Sequence, residues 1–105
     1  MRKTMQSFAA FAAIVVIGAS IGYAQGADIY KTKCASCHGA TGVPSAGMAK
    51  ALGVKPATDP SVKSKTEAQM IAITTNGQGK MPAYKGKLSD DEIKQAVESF
   101  RAFAK

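Results

Sequence analysis

Two thiols and an imidazole fall within five consecutive residues, Cys34-Ala35-Ser36-Cys37-His38, and they are both cysteines and the single histidine of the chain. Positions i and i+3 share one face of a helical turn, so thiols at 34 and 37 can reach the edge of one flat molecule. An imidazole directly after the second thiol then lies beneath that plane, where it can bind a metal at the centre. C-x-x-C-H is the attachment sequence of c-type haem, with Cys34 and Cys37 as thioethers and His38 on the iron. Three other chemistries use part of this pattern. A thioredoxin-like C-x-x-C expects a strand–helix–strand context, which is missing. A structural zinc site wants four ligands, and no further Cys or His remains. A disulfide between residues three apart closes too small a loop to stabilise much. One covalent haem per chain is the reading that uses every residue of the motif.

The opposite face of the iron decides the chemistry. A filled site carries electrons, whereas an open one binds small molecules or does peroxide chemistry. With no second histidine, methionine is the natural sixth ligand, and Met/His ligation raises the reduction potential. Beyond the first 24 residues there are three methionines. Met70 lies within a helical pattern beside Ile71, where a methionine is normally core. Met48 is close to His38 for a chain that must travel round the porphyrin edge. Met81 sits in the Gly-rich run Gly77-Gln78-Gly79-Lys80-Met81-Pro82, with Pro82 stiffening its backbone, and loop side chains on rigid neighbours are where functional groups tend to lie. Met81 is the favoured distal ligand. The same run is not a P-loop, because Thr74 and Met81 stand where that motif needs glycine and a hydroxyl residue.

The elements that must position these groups read as helices. Asp28 to His38 forms the first, with Asp28 as N-cap or first-turn acid and Ile29, Tyr30, Cys34 and Cys37 on one face. Gly39 to Gly47 is loop, and a carbonyl near Pro44 is the expected acceptor for the second ring N–H of His38. Met48 to Leu52 makes a short turn, and Gly53 to Ser64 is irregular, with Pro56 and Pro60 as breakers. Thr66 to Asn76 is a helix with capping-box spacing at Thr66 and Gln69 and a stop at Asn76-Gly77, turning Ala68, Ile71 and Ile73 or Thr75 inward. The last helix starts at a capping box, Ser89 and Glu92, with Leu88 and Ile93 at the staple positions. Asp90, Asp91 and Glu92 suit its start, and Arg101 and Lys105 its end. Ile93, Ala96, Val97, Phe100 and Phe103 form its apolar stripe. No segment alternates with period two, so the expected fold is all-α: three main helices plus short helical turns around one haem.

The N-terminus is built differently. Met1-Arg2-Lys3 is basic, Phe8 to Gly18 is apolar, and Gly22-Tyr23-Ala24 and Ala24-Gln25-Gly26 are small-x-small cleavage sites. This is the layout of a secretory signal peptide, expected over residues 1–24 with cleavage near Ala24 or Gly26. The rival is an uncleaved anchor, although the 17 residues from Phe8 to Ala24 are at the short limit for a span and contain glycine and serine. The domain is then 25–105, exported to the periplasm or an equivalent compartment such as a thylakoid lumen, and free of the membrane. The formal charge is +7; without Arg2 and Lys3, twelve basic residues face seven acidic ones and +5 remains. Dispersed lysines without a base-stacking motif argue against nucleic acid and suit steering toward an acidic surface of a redox partner, or simply solubility. A domain this small has a thin core, which a covalently stapled haem would reinforce.

The chain resembles the class I cytochromes c, in particular the small soluble monohaem carriers of bacteria and photosynthetic organisms. Gly26-x-x-Ile29-Tyr30-x-x-x-Cys34-x-x-Cys37-His38-Gly39 is similar to that family's first helix and attachment site. Asn76-Gly77 through Met81-Pro82-Ala83-Tyr84 is similar to its methionine loop, and Leu88-Ser89-Asp90-Asp91-Glu92-Ile93 running to Phe100 to its terminal helix. The resemblance implies the cytochrome c fold and axial His38 and Met81. It also implies that Phe100 packs across the first helix near Tyr30, and that a haem edge is exposed within a ring of lysines. Lys80, Lys85 and Lys87 flank the methionine loop here, and Lys31 and Lys33 precede the attachment site. The function expected is one-electron transfer by a monomer between redox proteins, with no catalytic constellation. The rivals are a haem enzyme or a gas or peroxide sensor with an open sixth site, and a docked haem subunit of a larger respiratory complex.

Overall fold

The computed structural model describes residues 24–105; the expected signal segment falls outside them apart from Ala24. Among the described residues five helical elements follow one another. α1 covers residues 24–38, α2 is Ala46–Leu52, α3 Pro60–Lys63, α4 Glu67–Asn76 and α5 Asp90–Ala102. Among the described residues there is no strand, only the isolated bridges Gln78–Met81 and Lys85–Leu88. The fold is all-α, as the patterning implies.

α5 is held at its start as the sequence requires. Ser89 Oγ accepts from the Glu92 N–H at 3.1 Å while Glu92 Oε1 accepts from the Ser89 N–H at 2.8 Å, which satisfies two of the orphan donors of the first turn. Its stripe faces α4: Ile93 is fully enclosed and clusters with Val97 and Met70, with Leu88 and Phe100 packed against them. Each such side chain contributes about 1.5–3 kcal/mol by leaving water.

α4 carries the same reciprocal cap, between Thr66 and Gln69. Ile71 packs against the core as expected, but the rest of its inward face differs. Met70 and Thr74 are buried, one turn apart, while Ala68 is exposed. The reason is that α4 has two surfaces to fill. Met70 packs on Ile93 and Val97 of α5, with Ile71 against them, while Met70, Ile73 and Thr74 also line the large cavity described below.

α1 crosses α5 closely. A Cβ at Gly26 would stand 2.6 Å from the Gln95 carbonyl oxygen, so only glycine admits that approach. Tyr30 is buried in the crossing, its ring 6.1 Å from Phe100 and 5.2 Å from Phe103 between centroids. This is the contact that the family resemblance implies for Phe100. The helix is under way at residue 24, so Asp28 lies inside it and caps nothing; its carbonyl accepts from Thr32 Oγ1.

Two short helices depart from expectation. α2 begins two residues before Met48, because Ser45 Oγ accepts from the Met48 N–H at 3.2 Å. α3 occupies a stretch expected to be irregular: Asp59 caps it and Pro60 starts it. Proline interrupts a helix interior but suits the first position, where no N–H is needed.

Candidate functional site

Between Tyr30 and Cys34 the first helix widens. The Ala35 N–H bonds back to the Tyr30 carbonyl, one residue further than in an α-helix, and Tyr30–Cys34 is a π turn. Such turns gather at functional sites. The helix resumes at Ala35–His38, so that the two thiols and the imidazole leave one short segment together.

That segment borders a cavity of about 630 Å³ with mainly apolar walls, within the range that encloses a sizeable organic ligand. Cys34, Cys37 and His38 line it from α1. Met81 and Pro82 line it from the loop between α4 and α5, and Ile73, Val97 and Phe100 from those helices. The structure therefore brings together all four site residues expected from the sequence. It also puts Met70 at the cavity wall, but packed into the α4–α5 cluster. Met48 is not among the lining residues.

The loop that carries Met81 is far from irregular. Gln78 and Met81 exchange backbone bonds of 3.0 and 2.9 Å. Lys80 Nζ donates to the Ala51 carbonyl at 3.0 Å, placing a cation on the C-terminal end of α2, where the helix dipole favours it. Tyr84 ties down the far side. Its N–H donates to the Thr74 carbonyl at 2.9 Å, and its hydroxyl to the Lys33 carbonyl at 2.9 Å, one residue before Cys34. These ties link residues 29 and 51 apart in sequence, and no local pattern announces them.

The electrostatics of the segment suit a metal-binding imidazole. Burial lowers the His38 pKa below its ordinary value, which favours the neutral ring, the form that ligates metals. Burial, and secondarily the neighbouring Cys37, pushes the Cys34 thiol up to about 11. Both cysteines are free and only partly buried. The His38 ring packs edge-on to Phe100, centroids 5.2 Å apart.

His38 Nδ1 is buried without a hydrogen-bond partner, so the acceptor expected near Pro44 does not engage it. Neighbouring carbonyls of that loop are spent elsewhere. Gly39 accepts from the Tyr30 hydroxyl at 2.6 Å and from the Gly42 N–H at 3.2 Å, and Gly42 accepts from the Ala57 N–H at 2.8 Å. Tyr30 is thus the residue that anchors the backbone just after His38, a role its place on the helical face did not reveal. A large, mainly apolar cavity, two thiols on one edge, a neutral buried imidazole and a thioether on a tethered loop fit a covalently held haem.

Known proteins agree. The family model described as Cytochrome C oxidase, cbb3-type, subunit III matches residues 22–98, and the chain belongs to that family. Within it the chain is a small class I c-type cytochrome: an electron-transfer protein with a covalently bound c-type haem, not an enzyme. It is 44% identical over 74 residues to cytochrome c6 of Leptolyngbya boryana, across 70% of this chain and 84% of that one. It is 35% identical over 79 residues to cytochrome c-551 of Halorhodospira halochloris, across 70% of this chain and 90% of that one. The solved structure of the KustC0563 c-type cytochrome superposes with a TM-score of 0.68 at 28% identity, covering 76% of this chain and 98% of the other.

Proposed function

We propose that this chain is an exported one-electron carrier in which a single haem would be held through Cys34 and Cys37, with His38 and Met81 as the residues that would ligate its iron. The observation that carries the reading is the convergence of those four side chains, from α1 and from a loop over forty residues later, on one cavity. When bound, the haem supplies a ferric/ferrous couple that takes up and releases one electron. The protein does the rest. Cys34 and Cys37 fix the ring edge, and His38, neutral through burial, offers a nitrogen lone pair. The Lys80 and Tyr84 ties keep the Met81 thioether at the cavity instead of letting water in. Among the three methionines, Met81 combines cavity access with a loop position; Met70 contributes instead to the α4–α5 core.

Lys31, Lys33, Lys80, Lys85 and Lys87 are exposed around the two segments that border the cavity. They suit electrostatic steering onto an acidic face of a redox protein. The carrier works as a monomer in the periplasm or a thylakoid lumen after residues 1–24 are removed. The close seat of Gly26 on Gln95 favours cleavage before Gln25, since cleavage after Gly26 would discard the residue at the crossing. Among the described residues no helix is long and apolar enough to cross a membrane. Alignment over 84% of cytochrome c6 and 90% of cytochrome c-551 supports a carrier over a docked oxidase subunit.

The test is the visible spectrum of the haem-loaded protein, oxidised and reduced. Sharp reduced α and β bands with a weak far-red sulfur–iron band in the oxidised form are expected. A high-spin ferric spectrum lacking that band would replace the carrier with an open-site sensor or enzyme.

A further inference from the structure

One face of α1 is committed to α5. Gly26 sits on the Gln95 carbonyl, and Tyr30, four residues on, packs its ring on Phe100 and Phe103. Cys34 is four residues further, and in an unbroken helix it would continue that same face. The π turn prevents this. It gives the Ala35 N–H to the Tyr30 carbonyl instead of the Lys31 carbonyl, and Cys34 has φ −117° where a regular helix has about −63°. One extra residue in a turn rotates everything after it by about 100°, and Cys34, Cys37 and His38 line the large cavity. Two side-chain hydroxyls bond to the carbonyls of this turn and its approach. Thr32 Oγ1 donates to the Asp28 carbonyl at 3.0 Å and to the Ile29 carbonyl at 3.3 Å, and back-bonding of this kind bends helices. The Lys33 carbonyl accepts from the Tyr84 hydroxyl at 2.9 Å, which ties the turn to the Met81 loop.

We propose that Thr32 is a positioning residue for the haem site. Its hydroxyl holds the π turn open, and the open turn does two things: it aims the attachment segment at the cavity and presents the Lys33 carbonyl to Tyr84. Without the hydroxyl the turn relaxes toward regular winding, the Ala35 N–H returns to the Lys31 carbonyl, and the Lys33 carbonyl swings away from Tyr84. A change at an exposed residue thus reaches, through Lys33, a tyrosine 51 residues beyond it on the Met81 loop. The two halves of the site, five residues of α1 and a distant loop, are set against each other by one threonine hydroxyl.

The experiment measures amide hydrogen exchange, residue by residue by NMR, in the reduced, haem-loaded parent, Thr32→Val and Thr32→Ser. Valine keeps the branched shape without the hydroxyl, and serine keeps the hydroxyl. In Thr32→Val, exchange at Ala35 should quicken by about fivefold or more, the loss of one hydrogen bond. Exchange at Tyr84, whose N–H is on the Thr74 carbonyl, should quicken with it. The far-red sulfur–iron band of the oxidised form, a readout that rests on Met81 as ligand, should weaken. Thr32→Ser should keep the parent rates and the parent band. Parent exchange at Ala35 in Thr32→Val would overturn the proposal, as would faster exchange at Ala35 alone with Tyr84 unchanged, which would make Thr32 a purely local bond. Thr32→Ser behaving as the valine variant does would overturn it too. If the parent itself showed no sulfur–iron band, the Met81 reading would fail, while the exchange rates at Ala35 and Tyr84 would still decide the role of Thr32.

Discussion

Replacing Gly77 with alanine strikes the Met81 loop at its root. Gly77 ends α4 with φ 79° and ψ 163°, a region open essentially to glycine alone, where another residue costs of order 1–3 kcal/mol. The new Cβ would stand 3.0 Å from both the Ala83 nitrogen and the Met81 oxygen, and 3.2 Å from the Pro82 carbonyl carbon. These are backbone atoms that no rotamer change can move, so overpacking adds roughly 1–3 kcal/mol. Stiffening of the unfolded chain returns about 0.4–1 kcal/mol. The net loss is about 1–5.6 kcal/mol with a midpoint of about 3, and at about 4–8 °C per kcal/mol for a domain of this size that midpoint lowers the Tm by about 12–24 °C. The loop can also relieve the strain locally, by swinging open and losing the far-red sulfur–iron band at unchanged helix content. Thermal unfolding followed by circular dichroism, with the oxidised spectrum recorded alongside, reads both routes. Gly79→Ala is the control: its φ is 57° with nothing within 4 Å of the new Cβ, so only the left-handed penalty of about 1–2 kcal/mol applies. A Gly77→Ala protein with the parent Tm and an intact band would refute this account of how Gly77 holds the loop.

Other outcomes are equally checkable. Met81→Ala should open the sixth site and lower the reduction potential, seen by spectroelectrochemistry; a parent spectrum and potential would remove Met81 as ligand. Tyr30→Phe deletes the 2.6 Å bond to the Gly39 carbonyl and should cost about 0.5–1.5 kcal/mol in urea unfolding. Burial above all, with a lesser push from Cys34, raises the Tyr30 hydroxyl from 10.0 to about 12. Because the folded pKa is the higher one, Tyr30 contributes fully below pH 10, and that part of its contribution is lost as pH rises through about 12. The stability gap between parent and Tyr30→Phe should therefore be flat to pH 10 and shrink above it. Ser89→Ala removes the cap of α5 and should cost about 1 kcal/mol while leaving the visible spectrum unchanged; an altered spectrum would mean that α5 reaches the iron site more directly than its packing implies.

Features that rest on neighbours in sequence were legible before any coordinates. The haem-attachment motif is five adjacent residues whose spacing alone brings two thiols and an imidazole together. Both capping boxes are four-residue patterns that satisfy their own backbone donors, and the structure forms each of them. The apolar stripe of α5 follows from helical periodicity. Where a local rule has two meanings, the sequence alone does not choose: Pro60 breaks a helix interior but starts α3, and Asp28 is a good cap but lies inside a helix already formed.

What tertiary structure alone decided is who faces whom. The inward face of α4 is set by its having to serve both α5 and the cavity, so Met70 and Thr74 replace Ala68 in the core. The Met81 loop is held by Lys80 on the Ala51 carbonyl and by Tyr84 on the Lys33 carbonyl. The carbonyl after His38 is claimed by Tyr30, not left to orient the imidazole. Sequence periodicity carries information over three or four residues, because that is the reach of a helical turn. Contacts between residues dozens of positions apart exist only once the helices have packed, and it is packing that closes the Met81 loop over a site whose other half was written in five residues.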